Sequence, residues 1–210
     1  SIEIPSSVTS ISSGAFNSLS GLQALEIMDG LTEFTTDVFS GAMSALTNIY
    51  LPNTITLFDA GISGNGTLVN KVNINLNPDH PYLRTDAGGN FLIEKTTNKL
   101  LLSLNRAATT VTIPSEIVEI GDNAFAYCSG FNGQLSLSRK LTSMGKYAFA
   151  YCADLTSVLI SESVTLIGDY AFYDCDGLTS IVIPGSVMEI GVYAFAYCDN
   201  LANVLISDGV

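Results

Sequence analysis

The chain has 210 residues, 47% of them hydrophobic and only 13% charged, which excludes a disordered polymer and leaves length enough for a substantial core. Its net charge of −12 is uneven: every Lys and Arg lies between Lys71 and Lys146, so both flanks would repel a nucleic-acid backbone or an anionic bilayer. No apolar run is long enough to cross a membrane and residues 1–20 lack a signal-peptide pattern, so neither nucleic-acid binding nor membrane insertion is expected of this segment.

Read in chain order, the dominant feature is repetition. The phrase IPSSVTSISSGAFNSLSGL begins at residue 4, and its Phe16 is followed 23 residues later by Phe39. The segment LPNTITLFDAGISGNGTL from 51 is a worn copy in which Ile62 takes the Phe position. Residues 77–110, NPDHPYLRTDAGGNFLIEKTTNKLLLSLNRAATT, break the period. Within them NFLIE and KLLLSL flank TTN, which predicts a β-hairpin with a tight turn. From residue 111 the repeat is regular: IPSEIVEIGDNAFAYCSGF from 113, ISESVTLIGDYAFYDCDGL from 160 and IPGSVMEIGVYAFAYCDNL from 183. Phe125, Phe149, Phe172 and Phe195 follow one another at 24, 23 and 23 residues.

Each unit carries two hydrophobic periods. SVLIS (157–161), SIVIP (180–184) and NVLIS (203–207) alternate, with Val158 and Ile160 on one face and Leu159 on the other, as in a strand with one buried side. Ala148, Phe149, Cys152 and Leu155 then fall at the spacing of a short helical stripe, with Gly168 and Asp169 a plausible turn and N-cap in the next unit. Nine strands are expected, centred near Ile4, Ile27, Leu51, Ile74, Ile113, Leu137, Ile160, Ile183 and Ile206. A unit of this size cannot bury its apolar side alone, whereas stacked copies can.

The phrase I-P-x-x-V-x-x-I-G-x-x-A-F-x-x-C-x-x-L resembles the repeat of the BspA-like leucine-rich repeat proteins, closely over 113–210 and loosely over 1–74. The resemblance implies an α/β fold: a right-handed leucine-rich repeat solenoid of period about 23, with a parallel sheet on its concave face and short helices or turns outside. One solenoid is expected over 1–210, comprising degenerate repeats (1–76), the hairpin insertion (77–110) and regular AF-x-x-C repeats (111–210). Neither end carries a polar cap, so the chain is expected to be a segment of a longer protein.

The repeated AFAYC raises the question of thiol chemistry. Cys128, Cys152, Cys175 and Cys198 each follow the aromatic anchor by three residues, so stacking places them in a ladder with the phenylalanines. Equivalent side chains in a stack point the same way, which suits small buried thiols better than disulfides. No C-x-x-C pair offers a zinc site, and the single histidine, His80 in NPDHP, has no nucleophile beside it in sequence. Asp174–Gly177 and Asp86–Asn90 read as turns rather than calcium loops. No catalytic residue, metal or cofactor is expected.

Two surfaces remain. The outward strand positions read Glu3, Glu26, Tyr50, Asn73, Thr112, Ser136, Leu159, Val182 and Leu205, turning from polar to apolar along the axis, a candidate contact stripe. Seven tyrosines cluster in the C-terminal repeats, of which Tyr147, Tyr170 and Tyr193 share one repeat position and should stack to cover the apolar edge. The family resemblance implies a non-catalytic, extracellular or cell-surface adhesion module whose partner is a host or cell-surface protein or a glycan. A structural spacer and an accessory recognition module of a secreted hydrolase are the alternatives.

Overall fold

The computed structural model of the chain describes residues 1–39, 43–61 and 72–209, with residues 133 and 134 described by their backbone alone. The Ile62 anchor of the worn repeat therefore lies outside the described residues. The N-terminal strands are β1 (Ile2–Ile4), β2 (Ala24–Ile27), β3 (Glu33–Thr35), β4 (Asn48–Tyr50), β5 (Leu57–Asp59) and β6 (Asn73–Asn75). The insertion supplies β7 (Leu83–Thr85), β8 (Phe91–Glu94) and β9 (Lys99–Ser103). Then follow β10 (Glu119–Ile120), β11 (Gly133–Ser136), β12 (Ser143–Met144), β13 (Leu155–Leu159), β14 (Leu166–Ile167), β15 (Ser180–Ile183), β16 (Glu189–Ile190) and β17 (Asn203–Ile206).

These strands form a β-solenoid. Equivalent strands of successive coils pair in parallel, in the orders β1-β2-β4-β6 and β11-β13-β15-β17. The alternation in SIVI gives β15 its pattern of one side chain out and the next in, with Ile181 and Ile183 in the core. A second, shorter strand in each coil was not expected. β3 pairs with β5, while β10, β12, β14 and β16 continue a seven-stranded sheet ordered β16-β14-β12-β10-β9-β8-β7. Its signal in the sequence is the apolar residue before each repeat glycine. Ile120, Met144 and Ile167 are all fully buried there.

The glycines themselves have a steric reason. A Cβ on Gly168 would stand 2.6 Å from the Gly145 carbonyl carbon and 2.8 Å from the Met144 carbonyl oxygen, so only glycine lets these coils approach.

The predicted hairpin is present, β8 running antiparallel to β9, with Asn98 at a left-handed φ of 54° closing the turn. It also partitions the interior. Phe91, Ile93 and Leu100 pack into the C-terminal core, whereas Leu92, Leu102 and Leu104 pack into the N-terminal one.

Two expectations need correction. Among the described residues no strand forms around Ile113, so the strand face divides into two four-stranded sheets rather than one of nine. The short helices are also absent: the only helical element described is a 3-10 turn at Thr36–Val38, so "α/β" overstates the helix content. The AF-x-x-C segments are chains of turns, because two residues in each adopt left-handed φ: Asn123 and Tyr127, Tyr147 and Tyr151, Tyr170 and Asp174, Tyr193 and Tyr197. A backbone that alternates in this way cannot propagate an α-helical ladder.

Candidate functional site

The turn wall built on AF-x-x-C shows what the repeated motif does. Alternate amides point along the stack: Phe125 N–H donates to Ala148 O, Phe149 to Ala171 O and Phe172 to Ala194 O, at 2.7 to 2.8 Å. The intervening amides close local turns, as when Ala126 N–H donates to Asn123 O. Phe125, Phe149 and Phe172 are fully buried and, with the partly buried Phe195, stack at centroid distances of 4.9 to 5.3 Å, nearly parallel. Cys128, Cys152, Cys175 and Cys198 are buried and unbridged. Three of the thiols donate to the Phe carbonyl of the preceding coil: Cys152 to Phe125 O at 3.2 Å, Cys175 to Phe149 O at 3.1 Å and Cys198 to Phe172 O at 3.0 Å.

The arrangement disfavours the thiolate at Cys128, Cys175 and Cys198. Burial pushes the Cys128 thiol up to about 11, although the Arg106 guanidinium and the Ser103 hydroxyl beside it favour the thiolate. Cys175 is raised chiefly by the adjoining Cys152 thiol, and Cys198 chiefly by that of Cys175.

Outside the phenylalanines lie the tyrosines. Tyr147, Tyr170 and Tyr193 stack as expected, at 4.6 and 5.3 Å, and Tyr127 stacks on Tyr151 at 4.4 Å. Lys146 Nζ sits 5.5 Å from the Tyr147 centroid and 5.8 Å from that of Tyr170. Six of the seven tyrosines occupy left-handed positions, an unfavourable conformation for a bulky residue of about 1–2 kcal/mol each. Ring stacking of about 0.5–1.5 kcal/mol per pair offsets much of this, so covering the apolar edge is a sufficient structural reason for them.

The candidate strand stripe is only partly continuous. Glu3 pairs with Glu26 and Glu26 with Tyr50, but Tyr50 pairs with Asn75, because this coil is two residues longer than the repeat. Asn73 stands instead beside Asn48. Thr112 belongs to no strand, so the row is interrupted there. Beyond the break Ser136, Leu159, Val182 and Leu205 are consecutive partners on four parallel strands. Leu159, Val182 and Leu205 are 54%, 45% and 62% exposed, a contiguous apolar stripe flanked by an open hollow of about 600 Å³ that Arg139 and Glu162 help to line.

The remaining polar candidates have structural partners. His80 is fully buried: its Nδ1 accepts from Tyr82 N–H and Leu83 N–H, and its Nε2 lies 3.1 Å from Pro52 O, to which it donates as the Nε2–H tautomer. Burial, with a smaller push from Lys95, lowers its pKa although the Pro52 hydrogen bond opposes the shift. Both Asp86 oxygens accept backbone amides, from Gly88, Asn90 and Phe91, which is turn capping. A cavity of about 450 Å³ opens between β5 and β9, where Asp59, Asp122, Glu94 and Lys99 meet Leu57 and Leu83. Lys99 there is committed to Glu119 at 2.6 Å, and the Asp59 carboxyl is raised by burial, then by Asp122 and Asp37.

Comparison with known proteins places this architecture. The fold is similar to the pneumococcal vaccine antigen PcpA (TM-score 0.79, 19% identity over 99% of this chain and 51% of that one). It is also similar to a leucine rich cell surface protein of Faecalibacterium prausnitzii A2-165 (0.72, 24%, 98% and 59%) and a leucine-rich repeat protein of Eubacterium ventriosum (0.63, 20%, 97% and 65%). The chain thus spans between about half and two thirds of the length of these proteins. None of the curated proteins matches it in sequence. The profile of the BspA type leucine rich repeat region matches residues 1–81 and 103–210 in six copies, nearly the whole chain outside the hairpin, and the chain belongs to that family.

Proposed function

We propose that the chain is a non-catalytic binding module displayed at a bacterial cell surface, which grips a host or cell-surface protein, or a glycan, through the outward face of β11, β13, β15 and β17. The observation that carries this reading is the stripe of Leu159, Val182 and Leu205, three adjacent aliphatic side chains held in register and left open to solvent. Contiguous exposed apolar surface of this kind marks interaction sites. Repeat solenoids typically present such surfaces to partners, and one structural neighbour is described as a cell surface protein and another as a vaccine antigen. We take residues 1–210 as one solenoid interrupted by the hairpin, right-handed because parallel crossovers are almost always so, with this sheet on its concave side.

The test is binding of the purified chain to a panel of extracellular proteins and to a glycan array. Leu159→Asp, Val182→Asp and Leu205→Asp together should abolish whatever binding is found, at least about tenfold, while far-UV circular dichroism stays unchanged. Undiminished binding by the triple variant would remove the stripe from the interface. Binding confined to glycans would favour the accessory-module role.

A further inference from the structure

The insertion is fastened to its two neighbours by different chemistry. Toward the C-terminal coils it is held by ion pairs, Arg84 with Glu116 at 3.2 Å and Lys99 with Glu119 at 2.6 Å. Toward the N-terminal coils, the side chain that ties down its first turn is His80, the only histidine of the sequence. The ring is fully buried and both nitrogens are engaged. Nδ1 accepts the amides of Tyr82 at 3.2 Å and Leu83 at 3.1 Å, and Nε2–H donates to Pro52 O at 3.1 Å, 28 residues back along the chain. The turn after β8 closes on the same residues, Lys95 Nζ donating to His80 O at 2.5 Å and Lys95 N–H to Tyr82 O at 2.8 Å. Leu83, 1% exposed, then carries the chain into the N-terminal core.

This arrangement accepts one protonation state. A second proton would have to sit on Nδ1, facing two N–H groups, which would lose their acceptor while a cation was left in a buried site. The groups around the ring supply no counter-charge. Lys95, from the turn after β8, carries the same sign as an imidazolium. The segment 51–55 that contributes Pro52 has no ionisable residue. Arg84 on β7 is turned to Glu116, Glu94 at the end of β8 accepts from Thr96 and Thr97, and Asp79 in the same loop is exposed. Among the described residues no carboxylate pairs with the ring. The lowering of the His80 pKa by burial, and secondarily by Lys95, agrees with this geometry.

We propose that His80 is an acid-sensitive latch, which as the neutral imidazole closes residues 80–83 onto the coil of Pro52 and on protonation releases them while the coils on either side stay folded. Leu83 lines the cavity of about 450 Å³ between β5 and β9, so its release widens that cavity at the joint between the two cores. The sign follows from linkage. A ring that gains its proton only when the latch is open favours the closed form above 6.5. Opening then becomes up to about tenfold more frequent per pH unit as pH falls from 6.5 to the lower value at which the closed ring titrates. The latch is independent of the leucine stripe, and it is a local event distinct from unfolding of the whole chain.

The test is amide hydrogen exchange of the whole isotope-labelled chain, followed by NMR from about pH 7.5 to about pH 4.5 and corrected for the intrinsic pH dependence of exchange. The single histidine gives one imidazole signal, so its titration is read in the same samples. We expect the ring to titrate below 6.5, and protection of the Leu83 amide to fall about tenfold per pH unit between 6.5 and that midpoint. Urea at about 0.5 M should leave Leu83 exchange within about twofold, because a local opening exposes little surface, while it accelerates exchange of the Phe149 amide in the turn wall. His80→Gln keeps an acceptor and a donor but gains no proton, and should abolish the pH dependence. Should that variant not fold, the midpoint and slope of the parent decide by themselves. A midpoint at or above 6.5, a Leu83 slope below about twofold per pH unit, or the same slope in folded His80→Gln would each overturn the proposal. So would a urea response equal to that of Phe149, or unfolding of the whole chain before the ring titrates.

Discussion

The four thiols of the AF-x-x-C repeats should resist labelling in the native protein by a calculable margin. Cys128 is fully buried and its pKa stands at about 11 against an ordinary 9.0, so at neutral pH its thiolate is scarcer by roughly 100-fold. A reagent that waits for local opening escapes that penalty but meets another. An opening free energy of about 4 kcal/mol slows it roughly 1000-fold. Labelling with a chromogenic disulfide such as Ellman's reagent separates the routes. Reaction through opening accelerates with sub-denaturing urea and levels off near pH 9, whereas direct attack on the native thiol keeps rising toward pH 11. Cys198, 9% exposed where Cys152 and Cys175 are fully buried, should react first. Release of four equivalents from the folded protein at a rate within tenfold of free cysteine would refute the buried ladder.

Other substitutions test the stack and its staple. Gly168→Ala should lower stability by about 2–3 kcal/mol, a fall in melting temperature of roughly 5–10 °C, because its Cβ meets only backbone of the preceding coil. Gly21→Ala, with nothing within 4 Å of the added carbon, should be neutral in the same calorimetric scan. His80→Ala orphans the Tyr82 and Leu83 amides and the Pro52 carbonyl, and should destabilise by about 3 kcal/mol in urea unfolding at neutral pH. The parent protein has a further pH signature. His80 is neutral when folded and ordinary when unfolded, so its contribution is complete above 6.5 and is lost as pH falls below 6.5 toward its depressed folded value. The difference in stability between parent and His80→Ala should therefore shrink on acidification through that window. A constant difference would show that the imidazole does not titrate as the burial requires.

What the sequence could convey follows from what a period can encode. A recurrence of 23 or 24 residues, with Phe and Cys at fixed offsets, identifies positions equivalent under stacking, and so the Phe ladder, the thiol ladder and the tyrosine column were legible before any coordinates. The hairpin was legible from its own alternation. Backbone conformation was not. Ala148, Phe149, Cys152 and Leu155 satisfy a helical spacing, yet Tyr147 and Tyr151, before and among them, stand at φ of 55° and 61°, and tyrosine gives no hint of that preference. The hint lay in the odd members of the series, since Asn123 and Asp174 are residue types that tolerate left-handed φ. Register failed for a related reason. Counting by a fixed period set Asn73, which does face outward, in line with Tyr50, but the coil is longer than the repeat, so Asn75 stands beside Tyr50 and Asn73 beside Asn48.

The same logic bears on where recognition can reside. In a stack, a position occupied alike in every coil is answerable to its two neighbours, and its chemistry is consumed by them: Phe149 by Phe125 and Phe172, the Cys175 thiol by the Phe149 carbonyl. Positions that break the series have no such account. Tyr173 stands where alanine suffices elsewhere, and the outward residues of β13, β15 and β17 are aliphatic where those of β1 and β2 are glutamate. The aliphatic departure does not improve the packing between coils, since Leu159 and Leu205 remain more than half exposed, whereas Tyr173 meets Tyr151, Tyr170 and Tyr197 at tilted or edge-on angles. The irregular positions, rather than the repeated AFAYC, are therefore where a partner would leave its mark on this sequence.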